Sequence, residues 1–212
     1  MGAGTGRGAP AASTGTLDAR KQRRARLTLL LVIAICVAPV IASYFVYFVV
    51  RPHGGSTNYG ALIDPQRPIP ATLMMHTDAG ASVPLSSLRG KWLLVSVDAS
   101  QCAEACVKKL YFMRQVKATQ GAERERVETV WLRTDDGGVP EVVRRAYPTT
   151  QMPVVDRQQL ADWLPAAPNT RLEDHIYVVD PNGNLMMRFP SNPDPSKIKN
   201  DLTKLLKWSG IG

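Results

Sequence analysis

Between Leu27 and Val50 the chain reads LTLLLVIAICVAPVIASYFVYFVV, 24 residues without a charge. At about 1.5 Å per residue, a helix of that length reaches roughly 36 Å, enough to cross a bilayer core of ~30 Å with some tilt. The run therefore reads as a transmembrane helix. A signal peptide cleaved after VIA at Val40–Ala42 is the rival, but the apolar run continues to Val50, which favours an uncleaved anchor. The basic cluster RKQRRAR lies directly before the run and predicts that the N-terminus stays in the cytoplasm, with everything after Arg51 across the membrane. Cys36 and Pro39 read as tolerated packing inside the span.

Residues 1–26 are rich in Gly, Ala, Ser and Thr and lack apolar periodicity, which predicts a disordered cytoplasmic tail. The tail holds six basic residues against Asp18, so it supplies +5 of the chain's net charge of +8 and leaves +3 for the rest. Much of the basic character is therefore topogenic, and nucleic-acid binding is excluded as a reading.

Residues 51–70, RPHGGSTNYGALIDPQRPIP, are crowded with Gly and Pro and predict a linker. The domain proper is expected over 71–208. Within it KWLLVSVD is a nearly continuous apolar run and reads as a buried central strand. CAEACVKKLYFMRQVKATQG reads as a helix, VETVWLRT as a second strand, and PEVVRRAY and DRQQLADWL as short helices. HIYVVDPNGNLMMRF reads as two strands around an Asp-Pro-Asn-Gly turn, and the last helix starts with Asp194 as its cap and Pro195 at its first position. Strand, cysteine helix, strand, helices, hairpin, helix is the order of a thioredoxin-like α/β domain.

Cys102 and Cys106 then admit two readings. On a helix they share a stripe with Leu110 and Met113, so both could be small apolar core residues. Alternatively they are a working pair. Cys102 falls near a helix start, where unpaired amides and the helix dipole favour a thiolate. Cys106 follows one turn later, close enough for a disulfide or a shared soft metal ion. Lys108 and Lys109 would favour the thiolate, and Glu104 would oppose it. His175 is a third candidate ligand, since copper(I) prefers thiolate and imidazole. His53 and His76 read as ordinary histidines. In the Met74–Met75 and Met186–Met187 doublets, one member of each pair is expected to face the core.

The anchor, then TDAGASVPLSSLRGKWLLVSVDASQCAEAC, then EDHIYVVDPNGN, resembles the Sco/SenC family of cytochrome c oxidase assembly proteins over residues 71–208 plus the anchor. The resemblance implies a CxxxC pair on a thioredoxin-like domain and a distal His ahead of the hairpin. It implies copper held by Cys102, Cys106 and His175, reduction of disulfides, or both, on behalf of a respiratory oxidase subunit or another assembly factor. Ala103 and Val107 stand where the family usually has Pro, and His175 lies closer to Pro181 than in the family pattern. An odd shift along a strand reverses the face to which a side chain points.

The expected protein is a single-pass protein of a bacterial inner membrane with a periplasmic thioredoxin-like domain. Three functions compete: a copper-holding chaperone, a thiol-disulfide reductase in which Cys102 and Cys106 are catalytic, and a docking subunit whose fold has lost its chemistry.

Overall fold

A computed structural model describes residues 15–45, 58–78 and 80–209, in two compact units that divide at Gly55 and Ser56. The first unit is α1 (Gly15–Phe45), whose stretch from Gln22 to Phe45 is long and apolar enough to cross a membrane. The helix starts ahead of the apolar run, so residues 15–26, expected to be disordered, are helical. Arg, Lys, Gln and Ala are strong helix formers, and adding turns to an existing helix avoids a new nucleation step. Residues 1–14, and 46–50 at the end of the expected span, lie outside the described residues.

The second unit is built on an eight-stranded mixed sheet. Its strands are β1 (Ala61–Pro68), β2 (Met74–His76), β3 (Ser82–Pro84), β4 (Trp92–Asp98), β5 (Val127–Arg133), β6 (Val154–Val155), β7 (Ile176–Val179) and β8 (Asn184–Arg188). They lie in the order β1-β8-β7-β4-β5-β6-β2-β3. Four helices accompany them: α2 (Glu104–Ala118), α3 (Glu141–Ala146), α4 (Arg157–Trp163) and α5 (Pro195–Ser209). β4 pairs in parallel with β5 from Trp92↔Val127 to Asp98↔Arg133, with α2 as the crossover, and antiparallel with β7 from Leu93↔Val179 to Ser96↔Ile176.

β4 alternates strictly. Trp92 and Leu94 pack with residues of α2 and α5, while Leu93, Val95 and Val97 pack with residues of α4 on the opposite face. β7 divides in the same way, with Ile176 and Val178 on the α2 side and Tyr177 and Val179 on the α4 side. Burial on both faces explains why these strands read as continuous apolar runs. In the turn between β7 and β8 the Gly183 N–H donates to the Asp180 carbonyl at 2.9 Å, and Gly183 takes a φ of 86° that its missing Cβ permits. Asp194 caps α5 by accepting the Ser196 N–H at 2.8 Å.

The expected linker is shorter than 51–70, because Ala61–Pro68 forms the edge strand β1 against β8. Proline is tolerated at an edge, where one side of the strand makes no ladder bonds. The backbone amides of Tyr59 and Gly60 donate to the buried Asp201 carboxylate of α5, at 2.7 and 2.9 Å, and fix where the chain joins the sheet.

Candidate thiol site

β4 is buried from Trp92 to Val97 and carries Asp98 to the rim of the sheet, where the chain turns towards α2. The segment after β5 holds that turn. Buried Ser100 donates its N–H to the Asp135 carboxylate at 3.1 Å and its hydroxyl to the Asp135 carbonyl at 2.8 Å. These bonds from Ser100 hold the Asp135 carboxyl below the usual carboxylate range. The Thr134 N–H closes the same rim on the Asp98 carbonyl at 3.1 Å.

Cys102 has a φ of 45°, in the left-handed region that non-glycine residues seldom occupy. It therefore stands outside the helix, which begins at Glu104 with Ala103 as its cap, two residues later than the expected start at Cys102. No side chain caps the helix, so the first-turn amides and the positive end of the dipole lie beside the residues that lead into it. Cys102 and Cys106 form a disulfide with their Cα atoms 5.1 Å apart. Both are buried, at 6% and 1% exposure, in a cluster with Leu110, Met113, Val143, Ile176 and Phe189. The pair is thus core-facing and covalently joined at once.

Lys109, one turn beyond Cys106, points inward. Its ammonium lies 2.6 Å from the Asp98 carboxylate, with side-chain exposures of 7% and 14%, and donates to the carbonyls of Val97 (3.2 Å) and Glu173. Burial pushes the Asp98 carboxyl up, and Lys109 pulls it back only in part. Neither residue stood out in the sequence as a partner of the other. The available signals were an acid closing an apolar strand and a lysine three residues after Cys106, on the buried side of α2. Lys108 turns the other way, donating to Asn192 Oδ1 at 2.5 Å, with its ammonium 5.7 Å from the centre of the Phe112 ring. A groove of about 560 Å³ lies alongside, lined by Ala103, Glu104, Lys108, Phe112, Asp174 and Asn192.

His175 is not brought to the cysteines. Its Nδ1–H donates to the Phe189 carbonyl at 2.7 Å, and Nε2 lies 2.7 Å from Thr170 Oγ1 and 3.4 Å from the Ala167 amide nitrogen. Its ring meets Tyr177 edge-on at 6.0 Å, and Tyr177 packs on the α4 face, whereas the cysteines belong to the α2 face. The odd register noted in the sequence has this consequence. Burial lowers the His175 pKa, in keeping with a neutral ring. Among the described residues no group of three His, Cys, Asp or Glu side chains could hold a metal ion. The residues present therefore do not fit a copper site made of two cysteines and this histidine.

His76 lines a separate cleft of about 360 Å³ with Asp78, Arg133 and Arg144, and His53 lies outside the described residues. Met75 and Met187 are buried while Met74 and Met186 are half-buried, the expected alternation.

The family model described as "Transmembrane-like, thioredoxin-like, C-terminal domain" matches residues 92–209, more than half of the chain, and the corresponding N-terminal domain matches 19–50. The chain belongs to this family. No curated protein matches it. Among solved structures it is similar to apo Sco1 of Thermus thermophilus, at 18% identity, covering 71% of this chain and 96% of that one with a TM-score of 0.52. Copper-bound ScoI of Bradyrhizobium japonicum is similar at 18% identity, covering 62% and 96%, with a TM-score of 0.47. The thioredoxin domain of a Bacteroides vulgatus thiol-disulfide oxidoreductase is similar at 17% identity, covering 66% and 95%, with a TM-score of 0.45. At these identities the likeness is one of fold alone, that of a thioredoxin-like domain.

Proposed function

We propose that this family member exchanges thiols and disulfides with a partner through Cys102 and Cys106. The observation that carries the reading is the disulfide itself, which joins the turn after a central strand to the first turn of the crossover helix. In the reduced form the Cys102 thiolate attacks one sulfur of the partner's disulfide, a mixed disulfide forms, and the partner's other sulfur leaves as a thiolate that takes up a proton. Cys106, deprotonated, then attacks the Cys102 sulfur, re-forms the intramolecular bond and releases the partner's second thiol. Two electrons pass from this chain to the partner. The part taken by Cys102 follows from its place outside the helix, and the groove beside Ala103 gives a partner segment room to approach.

The RKQRRAR cluster supports an inner-membrane orientation with the thiol domain in the periplasm. The CxxxC motif and the Sco-type fold support service to cytochrome c oxidase biogenesis, with an oxidase subunit or a further assembly factor as partner. Holding copper is the second reading. One observation favours it: the Cα atoms of the two cysteines lie 5.1 Å apart, so the reduced pair would offer two soft donors side by side. His175 has no part in it.

Equilibration of the full-length protein in detergent with glutathione buffers, followed by alkylation and mass spectrometry, tests the main reading. The expected outcome is a reversible two-electron transition, with Cys106→Ser accumulating a mixed disulfide on Cys102. A pair that stays oxidised at every reducing ratio, or a mixed disulfide on neither cysteine, overturns it.

A further inference from the structure

On α5, Lys197, Asp201, Lys204 and Trp208 are spaced i, i+4, i+7 and i+11, so they form one stripe. Asp201 turns inward to take the Tyr59 and Gly60 amides, and the Lys197 ammonium lies 5.0 Å from the centre of the Tyr59 ring. The chain arriving from the anchor thus joins the domain along this stripe. By sequence, only seven residues, 51–57, separate the end of the apolar run at Val50 from Asn58.

The chemistry of the flank suits a bilayer surface. Lys197, Lys204 and Lys207 are exposed, and within α5 the one acid is the buried Asp201. Trp208 is 80% exposed, whereas Trp92, Trp131 and Trp163 are at 3% or less. The Lys207 ammonium lies 5.8 Å from the centre of the Trp208 ring. Leu62, opposite Met187 in the β1–β8 pair and so on the α5 side of the sheet, is a further exposed apolar residue. Indole rings settle at membrane interfaces, and lysines are drawn to anionic lipid.

We propose that this face of α5 binds the surface of the bilayer that α1 spans, with Lys197, Lys204 and Lys207 on anionic phospholipid head groups and Trp208 in the interface. The attachment rests on the membrane anchor and not on the thiol chemistry, so failure of thiol exchange leaves it standing. It holds the thiol domain in a set orientation towards partners in the same membrane.

Acrylamide quenching of tryptophan fluorescence tests this on the full-length protein in nanodiscs. One set contains phosphatidylcholine alone, the other equal parts phosphatidylglycerol and phosphatidylcholine. Trp208 is the one exposed tryptophan of the chain's four, so it dominates the quenching. The anionic discs should lower the quenching slope by roughly three-fold. High salt, or the combined Lys197→Glu, Lys204→Glu and Lys207→Glu change, should restore it. Trp208→Phe should abolish the lipid dependence. Equal slopes in the two lipids, protection that survives charge reversal, lipid dependence that survives Trp208→Phe, or protection that follows protein concentration instead of lipid charge each overturns the proposal. The last result would indicate a second copy on this face.

Discussion

The ammonium of Lys109 and the carboxylate of Asp98 meet 2.6 Å apart beneath the turn that carries Cys102. The contact ties the cysteine-bearing helix to the end of the central strand, and the bond from Lys109 to the Glu173 carbonyl adds the segment before β7. One buried side chain thus fixes three of the pieces that surround the pair.

Lys109→Met should therefore destabilise the fold by about 3 kcal/mol, because it leaves a buried carboxylate without its cation. Asp98→Asn combined with Lys109→Met should recover much of that loss. The folded pKa of Asp98 is raised, so its stabilising contribution is full below the ordinary value of 3.8 and is lost as pH rises through the folded value. Asp98→Asn should flatten that part of the profile. Denaturant titrations of full-length protein in detergent at a series of pH values would read both effects. A single Lys109→Met variant as stable as wild type would show that the pair is not a structural tie.

Reduction of the disulfide should leave the domain folded. The bond closes a loop of only five residues, for which the chain-entropy model gives about 2 kcal/mol, a modest part of the stability of a domain this size. Unfolding free energies of the oxidised and reduced protein, from denaturant titrations under otherwise identical conditions, should differ by that amount. Loss of the cooperative transition on reduction would mark the disulfide as a structural staple and count against redox cycling.

Much of this architecture was legible in the sequence because burial on both faces leaves a strong mark. β4, β5 and β7 are apolar almost throughout, and the amphipathic α5 follows its cap as expected. β1, β2, β3 and β6 were not legible. They are short or at the edge, and β1 contains prolines whose ordinary meaning is loop. Its pairing depends on β8 and on Asp201, more than a hundred residues away in sequence. The cysteine pair was legible as a spacing, but two features of its setting were not. The left-handed backbone at Cys102 displaces the helix start, and the inward turn of Lys109 depends on Asp98 across the α2–β4 contact.

Copper affinity separates the two cysteines from the histidine. Cys102→Ser or Cys106→Ser should abolish stoichiometric Cu(I) binding by the reduced protein, because a neutral hydroxyl is a poor ligand for the ion. His175→Ala should change the affinity less than about two-fold, in contrast to the 10- to 100-fold losses typical when supporting groups at metal sites are removed. Competition titrations with a chromophoric Cu(I) chelator would measure both. A ten-fold loss in the His175 variant would require the ring to leave the Phe189 carbonyl and cross to the other side of the sheet, and would refute the site described above.

His175 should instead appear in the pH dependence of stability. Burial, the largest influence on it, lowers its pKa below the ordinary 6.5, and the Phe189 carbonyl opposes that shift only in part. The native state then binds fewer protons than the unfolded chain between the folded pKa and 6.5, so stability rises with pH across that window. The contribution is full above 6.5 and is lost as pH falls towards the folded value, because charging the ring leaves two N–H donors in a pocket where Nε2 faces the Ala167 N–H. Thermal unfolding of the full-length protein should therefore shift to lower temperature as pH falls below 6.5. His175→Gln, which cannot titrate, should be less stable at neutral pH and lack that slope. A variant that keeps the wild-type slope would assign the titration to another group and show that the buried ring is not what the native state holds neutral.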